Sequence, residues 1–219
     1  DALHRGDVRL DALAHLLAVE DARKGHQRPK IEEYGQSLFV VLHMVENGGA
    51  ELNVGEVCIF VGSNYVLSVR QRAKQGLVEV RKRCEEEPEL LRHGPAYVLY
   101  ALMDAVVDRY FPVLGAISTE LERVEERIFA TQTERASIEA LYCIKQKLMT
   151  LKHATEPLLE AVGRLHGGRV PQLFQGLQDY FRDISDHLVR LNQSIDSLRD
   201  MVTTAISVSL SLITLQENE

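Results

Sequence analysis

Apolar residues recur every seven positions along the last fifty residues of the chain, in two series that alternate in steps of three and four. The series are Leu177, Ile184, Leu191, Leu198, Ala205 and Leu212, and Phe174, Phe181, Leu188, Ile195, Val202 and Ser209. This spacing predicts a long helix with a narrow apolar seam of the coiled-coil type. No proline follows Pro171 and no glycine follows Gly176, so a rod of about 40 residues and roughly 60 Å is expected. The pattern leaves two partners open: copies of the chain or another long partner, or further helices of an antiparallel bundle.

The first 94 residues have a mixed pattern. Residues 1–27 predict a helix with an apolar stripe, formed by Leu10, Leu13, Leu16 and Leu17. Gly25 is the expected end of this helix. Apolar runs at 37–45, 54–61 and 65–69, separated by the turn sequences at 47–49 and 62–64, predict three strands of an antiparallel meander.

From residue 77 onward the apolar period is helical. Residues 77–87 predict a short helix that ends at Pro88, and Pro95 opens a long helix that continues to about residue 128 with a kink at Pro112. A polar break at 131–134 precedes another helix, 137–165. These patterns predict an α+β chain, with an α/β domain at 1–94 and a long-helix region at 95–219, in which the last helix starts near residue 170.

Composition narrows the class of protein without defining it. Acids outnumber bases 32 to 25, for a formal charge of −7, which argues against nucleic acid as a partner and is compatible with cations. The three cysteines are widely spaced, so neither a disulfide framework nor a thiolate zinc site is indicated. The most apolar stretch, 205–215, is interrupted by serine and threonine, so we expect this chain not to cross a bilayer itself.

Carboxylates are the candidate chemistry. Asp104 and Asp108 lie one turn apart in an apolar helix, Asp183 and His187 share a face of the last helix, and Glu20 and Asp21 end the first helical region. Oxygen ligands of this kind suit Mg²⁺. Spacing alone favours the simpler interpretation that these acids are solvated surface charges. No constellation of nucleophile and base stands out, so an enzyme is not predicted.

Three sequence blocks, in a fixed order along the chain, favour metal ligands over solvated surface charges. They are LAVEDARKGHQRPKIEEY at 17–34, YVLYALMDAVVDRYF at 97–111 and YFRDISDH at 180–187. In sequence and order they resemble the CorA family of magnesium and cobalt transporters, and the resemblance covers the whole chain.

The resemblance implies an antiparallel sheet flanked by helices, then two long antiparallel helices, then a stalk helix that leads to membrane spans absent from this chain. It implies a homopentamer at the inner (plasma) membrane with this portion on the cytoplasmic side and the helical seam facing the fivefold axis. By motif, Asp21 and Asp183 match acids that hold a regulatory Mg²⁺ between neighbouring subunits and so favour the closed state. Glu20 and Asp104 match acids beside that site.

Two departures keep alternatives open. The pore signature Gly-Met-Asn is absent, because the sequence stops at Glu219, so a zinc-transporting branch of the family stays open, with Mg²⁺, Co²⁺ or Zn²⁺ as the bound ion. Some members of the family carry an acid near the membrane end of the stalk, where this chain has Ser207. The resemblance therefore does not carry a pore-side cation site over to this chain. The heptad pattern also supports a different class of protein, a coiled-coil scaffold without metal sensing.

Overall fold

A computed structural model describes residues 16–35, 37–130, 135–167 and 176–217. Its elements, in chain order, are α1 (16–24), β1 (Lys30–Tyr34), β2 (Ser37–Asn47), β3 (Leu52–Val61), β4 (Val66–Gln71), α2 (Val78–Glu86), α3 (Pro88–Leu91), α4 (Pro95–Asp108), α5 (Tyr110–Ala130), α6 (Arg135–Gly167) and α7 (Gln178–Glu217).

The four strands form one antiparallel sheet in the order β1-β2-β3-β4. The predicted meander is therefore confirmed, and β1 extends it by a strand that the apolar pattern does not predict. The segment KIEEY is an edge strand with no fully buried residue, so it lacks the apolar alternation by which a strand is recognised.

Both faces of the sheet are covered. On β2, Val40 and Leu42 point into the main core, while Phe39 and Val41 point to the opposite face and pack against Ala18 of α1. Successive side chains of a strand alternate between faces, so a continuous apolar run belongs to a strand that is buried on both sides.

The apolar stripe predicted for α1 is wrong in its described part. Leu16 and Leu17 are 66% and 54% exposed, and Ala18 and Ala22 make the contact with the sheet instead. Small side chains let this short helix lie close to the strands. The other two leucines of the predicted stripe, Leu10 and Leu13, lie outside the described residues. Gly25 ends α1 as predicted, with φ +66° and its N–H donating to the carbonyl of Asp21 at 3.0 Å.

The long helix predicted from Pro95 is broken near the expected place. It ends as α4 at Asp108, and α5 starts at Tyr110, two residues before Pro112. A proline at 112 cannot donate to the carbonyl of residue 108, which accounts for the interruption between α4 and α5.

The seam of α7 is buried inside the subunit. Of its members, Leu177, Ile184, Leu191, Phe181, Leu188, Ile195 and Val202 belong to the main core, whereas Phe174 lies outside the described residues. The principal partner is α6, whose own buried residues follow the same repeat: Leu141, Ile144, Leu148, Leu151, Thr155, Leu158, Val162 and Leu165. The expectation that the seam faces a fivefold axis is therefore wrong, because α6 already covers it.

Polar contacts define how α6 and α7 are paired. Thr155 Oγ1 donates to Asn192 Oδ1 at 2.9 Å, and Lys152 pairs with Asp196. The contact of Lys152 lies earlier in α6 than that of Thr155, but its partner Asp196 lies later in α7 than Asn192. The two helices are therefore antiparallel. The predicted fold class is confirmed: an antiparallel sheet flanked by helices is followed by the long helices α5 and α6 and by the long C-terminal helix α7.

The hydrophobic core runs without a gap from the sheet to α7, and a domain boundary near residue 94 stays a prediction. Within the described part of the chain, one helix, Gln178–Leu215, is long and apolar enough to cross a membrane by length and composition alone. Core helices of soluble proteins pass the same test, so the expectation that the chain does not cross a bilayer stays a prediction as well.

Candidate metal centre between α4 and α7

Aromatic contacts position the two helices that carry the candidate ligands. Tyr100 of α4 meets Tyr180 and Phe181 of α7 edge-on, with ring centroids 5.0 and 6.3 Å apart. Asp104 lies one turn beyond Tyr100, and Asp183 follows Phe181 by two residues, so the contact that sets the helix register also brings these carboxylates to one place.

Asp104, Asp183 and His187 form a cluster whose ligand atoms all lie within 4.8 Å of one another. The Asp104 side chain is only 8% exposed, whereas Asp183 is 56% exposed at the mouth. His187 Nε2 lies 3.8 Å from Asp183, and its Nδ1 lies 3.7 Å from Asp108. Both distances exceed those of a hydrogen bond. His187 Nδ1 is buried and has no hydrogen-bond partner within the described residues.

The donor set fits a divalent cation. Ligands on opposite sides of a Mg²⁺ ion are about 4.2 Å apart, and for larger ions or water-bridged contacts the span is wider. The two carboxylates suit Mg²⁺, and the imidazole nitrogen adds a donor that Co²⁺ and Zn²⁺ accept more readily. Asp104, Asp183 and His187 would hold such an ion.

The surroundings oppose an accumulation of negative charge. Burial, and then the nearby carboxylate of Asp104, raise the pKa of Asp108. Arg83 of α2 donates from Nη1 to Asp104 Oδ2 at 2.8 Å and so supplies the cluster with a positive charge from the protein itself.

The other two predicted ligands do not join this cluster within one chain. Asp21, on α1, accepts a hydrogen bond from Lys30 Nζ at 2.9 Å, and Glu20 pairs with Lys24 at 2.6 Å. The pairing of Asp21 with Asp183 across two subunits stays a prediction.

Two residues around the cluster were missed as site residues. For His187 the available signal was its spacing of four residues from Asp183, which places the two side chains on one face of the helix. Arg83 carried no signal, because nothing in the sequence indicates that the last turn of α2 lies against the middle of α4.

A separate polar cleft of 540 Å³ lies between the sheet and α6. Its lining includes His26, His43, Glu56, His153 and Glu156. In the described part of the chain these donors do not converge into a group with ligand spacing, so the α4–α7 cluster is the better candidate for a metal centre.

Comparison with known proteins agrees with this architecture. Residues 9–219 match the family model described as CorA-like Mg²⁺ transporter protein. The cobalt/magnesium transport protein CorA of Thermotoga maritima is 30% identical over 224 residues, which cover 99% of this chain and 64% of that protein.

Solved structures share the fold. The complete CorA magnesium transporter from Methanocaldococcus jannaschii has a TM-score of 0.75 at 17% identity, covering 97% of this chain and 68% of that one. The ZntB cytoplasmic domain from Vibrio parahaemolyticus has a TM-score of 0.66 at 12% identity, covering 89% and 75%.

The sequence relatives are metal-ion transport proteins rather than enzymes. Within that class, the chain belongs to the CorA-like Mg²⁺ transporter family. It spans just under two thirds of the length of the curated relatives, 64% and 62%.

Proposed function

We propose that this chain is the metal-sensing part of a CorA-like divalent cation transporter, on the cytoplasmic side of the membrane. The observation that carries the proposal is the convergence of Asp104, Asp183 and His187 on one point between α4 and α7. Two aspartates and a histidine whose ligand atoms converge attract a divalent ion. An ion bound there would connect α7 to α4.

Asp21 and Glu20 enter the proposal as ligands from a neighbouring subunit. They lie on α1, away from the cluster of their own chain, and Asp21 is 30% exposed. In a pentamer, carboxylates of adjacent subunits repel when no ion is present and attract one another through a shared Mg²⁺. An ion that binds the closed arrangement more tightly shifts the population toward it, and its loss releases the subunits.

The outer surface of α7 supports assembly. Met201, Val208 and Leu215 are exposed and recur every seven residues, on a side that α6 does not cover. Five copies with a formal charge of −7 carry −35, so assembly is favoured when divalent cations neutralise part of that charge. The inner seam, which motivated the scaffold hypothesis, is not free for this purpose.

Thermal unfolding with and without divalent ions tests the proposal. An ion at ten to a hundred times its Kd stabilises the folded chain by about 1.4–2.7 kcal/mol. Asp183→Asn is the informative variant, because this exposed side chain can change without damage to the core. We expect it to abolish most of the Mg²⁺-dependent rise in Tm, whereas Asp186→Asn, the matched change at an exposed acid outside the cluster, keeps it. Equal rises in wild type and Asp183→Asn refute the site.

The intersubunit part needs a separate measurement. Light scattering at several concentrations, with Mg²⁺ and with chelator, follows the oligomeric state. We expect Asp21→Asn to remove the Mg²⁺-dependent mass increase and leave the fold of the single chain intact. A mass that responds to Mg²⁺ equally in Asp21→Asn and wild type contradicts the shared site.

A second candidate is a cluster that senses Co²⁺ or Zn²⁺, as in a zinc-transporting branch. His187 favours it, because imidazole is a better ligand for these ions than for Mg²⁺. In calorimetric titrations, His187→Gln then weakens Zn²⁺ and Co²⁺ binding much more than Mg²⁺ binding. An equal effect on all three ions contradicts a site that prefers Zn²⁺ or Co²⁺ through the imidazole.

A further inference from the structure

Arg83 neutralises the most buried acid of the cluster. Its Nη1 lies 2.8 Å from Asp104 Oδ2, and the Asp104 side chain is 8% exposed while that of Arg83 is 43% exposed. A carboxylate with so little contact with water needs a positive partner. In the described ranges, Arg83 is the residue that forms an ion pair with it.

A metal ion in the cluster would require the same carboxylate. Asp104 is one of the three residues whose ligand atoms converge, so a divalent ion there would lie within a few ångströms of the guanidinium group. Like charges at that distance repel strongly when they are shielded from water. The ion and Arg83 therefore compete for the negative charge of Asp104.

Arg83 has a second acceptor within reach. Its Nε lies 4.0 Å from Glu87 Oε1, one turn further along the same segment, and Glu87 is 41% exposed. Glu87 is itself held by the hydroxyl of Tyr97. Rotation of the arginine side chain alone can thus exchange Asp104 for Glu87, with no backbone movement.

We propose that Arg83 is a tethered counter-ion that competes with the metal. It occupies Asp104 when no ion is bound and moves toward Glu87 when an ion arrives, and so it sets the concentration at which the site fills. The inference rests on the proposed function, since it assumes that a divalent ion binds at Asp104, Asp183 and His187.

The direction in which one substitution changes the Kd for Mg²⁺ distinguishes this role from a structural one. If Arg83 competes, Arg83→Gln leaves Asp104 without a partner until an ion supplies the charge. The Kd for Mg²⁺ then falls about three- to tenfold, between the values of exposed and buried charge pairs. If Arg83 instead orients Asp104 for the ion, the same change raises the Kd, and this result overturns the proposal.

Isothermal titration of the 219-residue chain with MgCl₂, together with Tm measurements, supplies the readout. We expect Arg83→Gln to lower the Tm without metal and to enlarge the rise that Mg²⁺ produces. Arg81→Gln is the matched control, because Arg81 lies on the same helix, is 82% exposed and pairs with Glu85. Its Kd for Mg²⁺ should equal that of wild type.

Glu87→Gln tests the exchange without removing the arginine. It keeps the pair with Asp104 but weakens the second acceptor, so we expect the Kd to rise about two- to threefold, the size of an exposed charge pair. This variant also decides the question if Arg83→Gln does not fold, since an unchanged Kd contradicts the exchange.

Wild type and Asp183→Asn distinguish the two levels of failure. If wild type binds no divalent ion, the proposed function and this inference fall together. If wild type binds Mg²⁺, Asp183→Asn abolishes binding and Arg83→Gln weakens it, the metal site stands and only the competing role of Arg83 is refuted.

Discussion

The polar pair within the α6–α7 seam offers a sharp test of how the two helices are held together. Thr155 is fully buried and Asn192 is 9% exposed, and the threonine hydroxyl donates to Asn192 Oδ1 at 2.9 Å. Asn192 Nδ2 donates to the carbonyl of Leu188 at 2.9 Å. Thr155→Val keeps the shape of the side chain and removes only the hydroxyl.

The expected cost follows from the group that is left behind. Asn192 Oδ1 loses its partner in an apolar seam, and a buried unsatisfied acceptor costs about 1–3 kcal/mol. No cavity forms, because valine fills the same space. For a chain of this size, that cost corresponds to a fall in Tm of roughly 2–12 °C.

Urea unfolding followed by circular dichroism measures this free energy directly. Thr150→Val is the matched control: Thr150 lies on the same helix and donates to the carbonyl of Gln146 at 3.1 Å, so its loss leaves no buried acceptor without a partner. We expect that control to change the free energy of unfolding by less than about 0.5 kcal/mol.

A double-mutant cycle completes the test. Replacing both members, as in Thr155→Val with Asn192→Leu, removes the unsatisfied group and should recover most of the stability lost in Thr155→Val. The coupling energy should be about 0.5–3 kcal/mol. A Thr155→Val variant that loses no more stability than Thr150→Val would refute the reasoning, because the hydrogen bond would then add nothing to the seam.

Three further outcomes follow from the same structure. Burial raises the pKa of Cys58 to about 12, so at pH 8 a thiol reagent should modify the exposed Cys143 quickly and Cys58 only after addition of urea; equal rates contradict this. A hydrogen bond from Lys152 lowers the pKa of Asp196, so the stability this acid adds is present above the ordinary aspartate pKa and is lost as the pH falls through its lowered value. Asp196→Asn should therefore cost about 0.2–1 kcal/mol at pH 7 and progressively less as the pH falls, measured by urea unfolding. Gly25 has φ +66°, and an added Cβ would meet Gln71 Oε1 at 2.6 Å, so Gly25→Ala should cost at least about 1–2 kcal/mol in the same assay; an unchanged midpoint would contradict the strain.

The extent of the helices and most strands could be predicted from the sequence, because periodicity and breakers act locally. The breaks at Gly25 and near Pro112, and the heptad series of α7, depend on residues that are close together in the chain. By contrast, β1 carried too few apolar residues to be recognised, and for α1 the pattern of leucines indicated a stripe that the fold does not bury. Alanine, which is weakly apolar, made the contact because it permits close approach to the sheet.

The site divides in the same way. Sequence blocks indicated Asp104 and Asp183 as ligands, but their convergence with His187 depends on the packing of α4 against α7. The approach of Arg83 to Asp104 is likewise a tertiary contact between residues 21 positions apart. How Asp21 meets Asp183 depends on a further level, the assembly, and so stays a prediction.

By itself, then, the sequence determined that α7 is a long helix with one apolar seam, and through its motif blocks it indicated the CorA-like family. Only the tertiary structure decided that α6 covers this seam and that an arginine already lies at the buried carboxylate. The physical reason is that a periodic pattern states which face of a helix avoids water, whereas the identity of the surface that covers it depends on how distant segments pack.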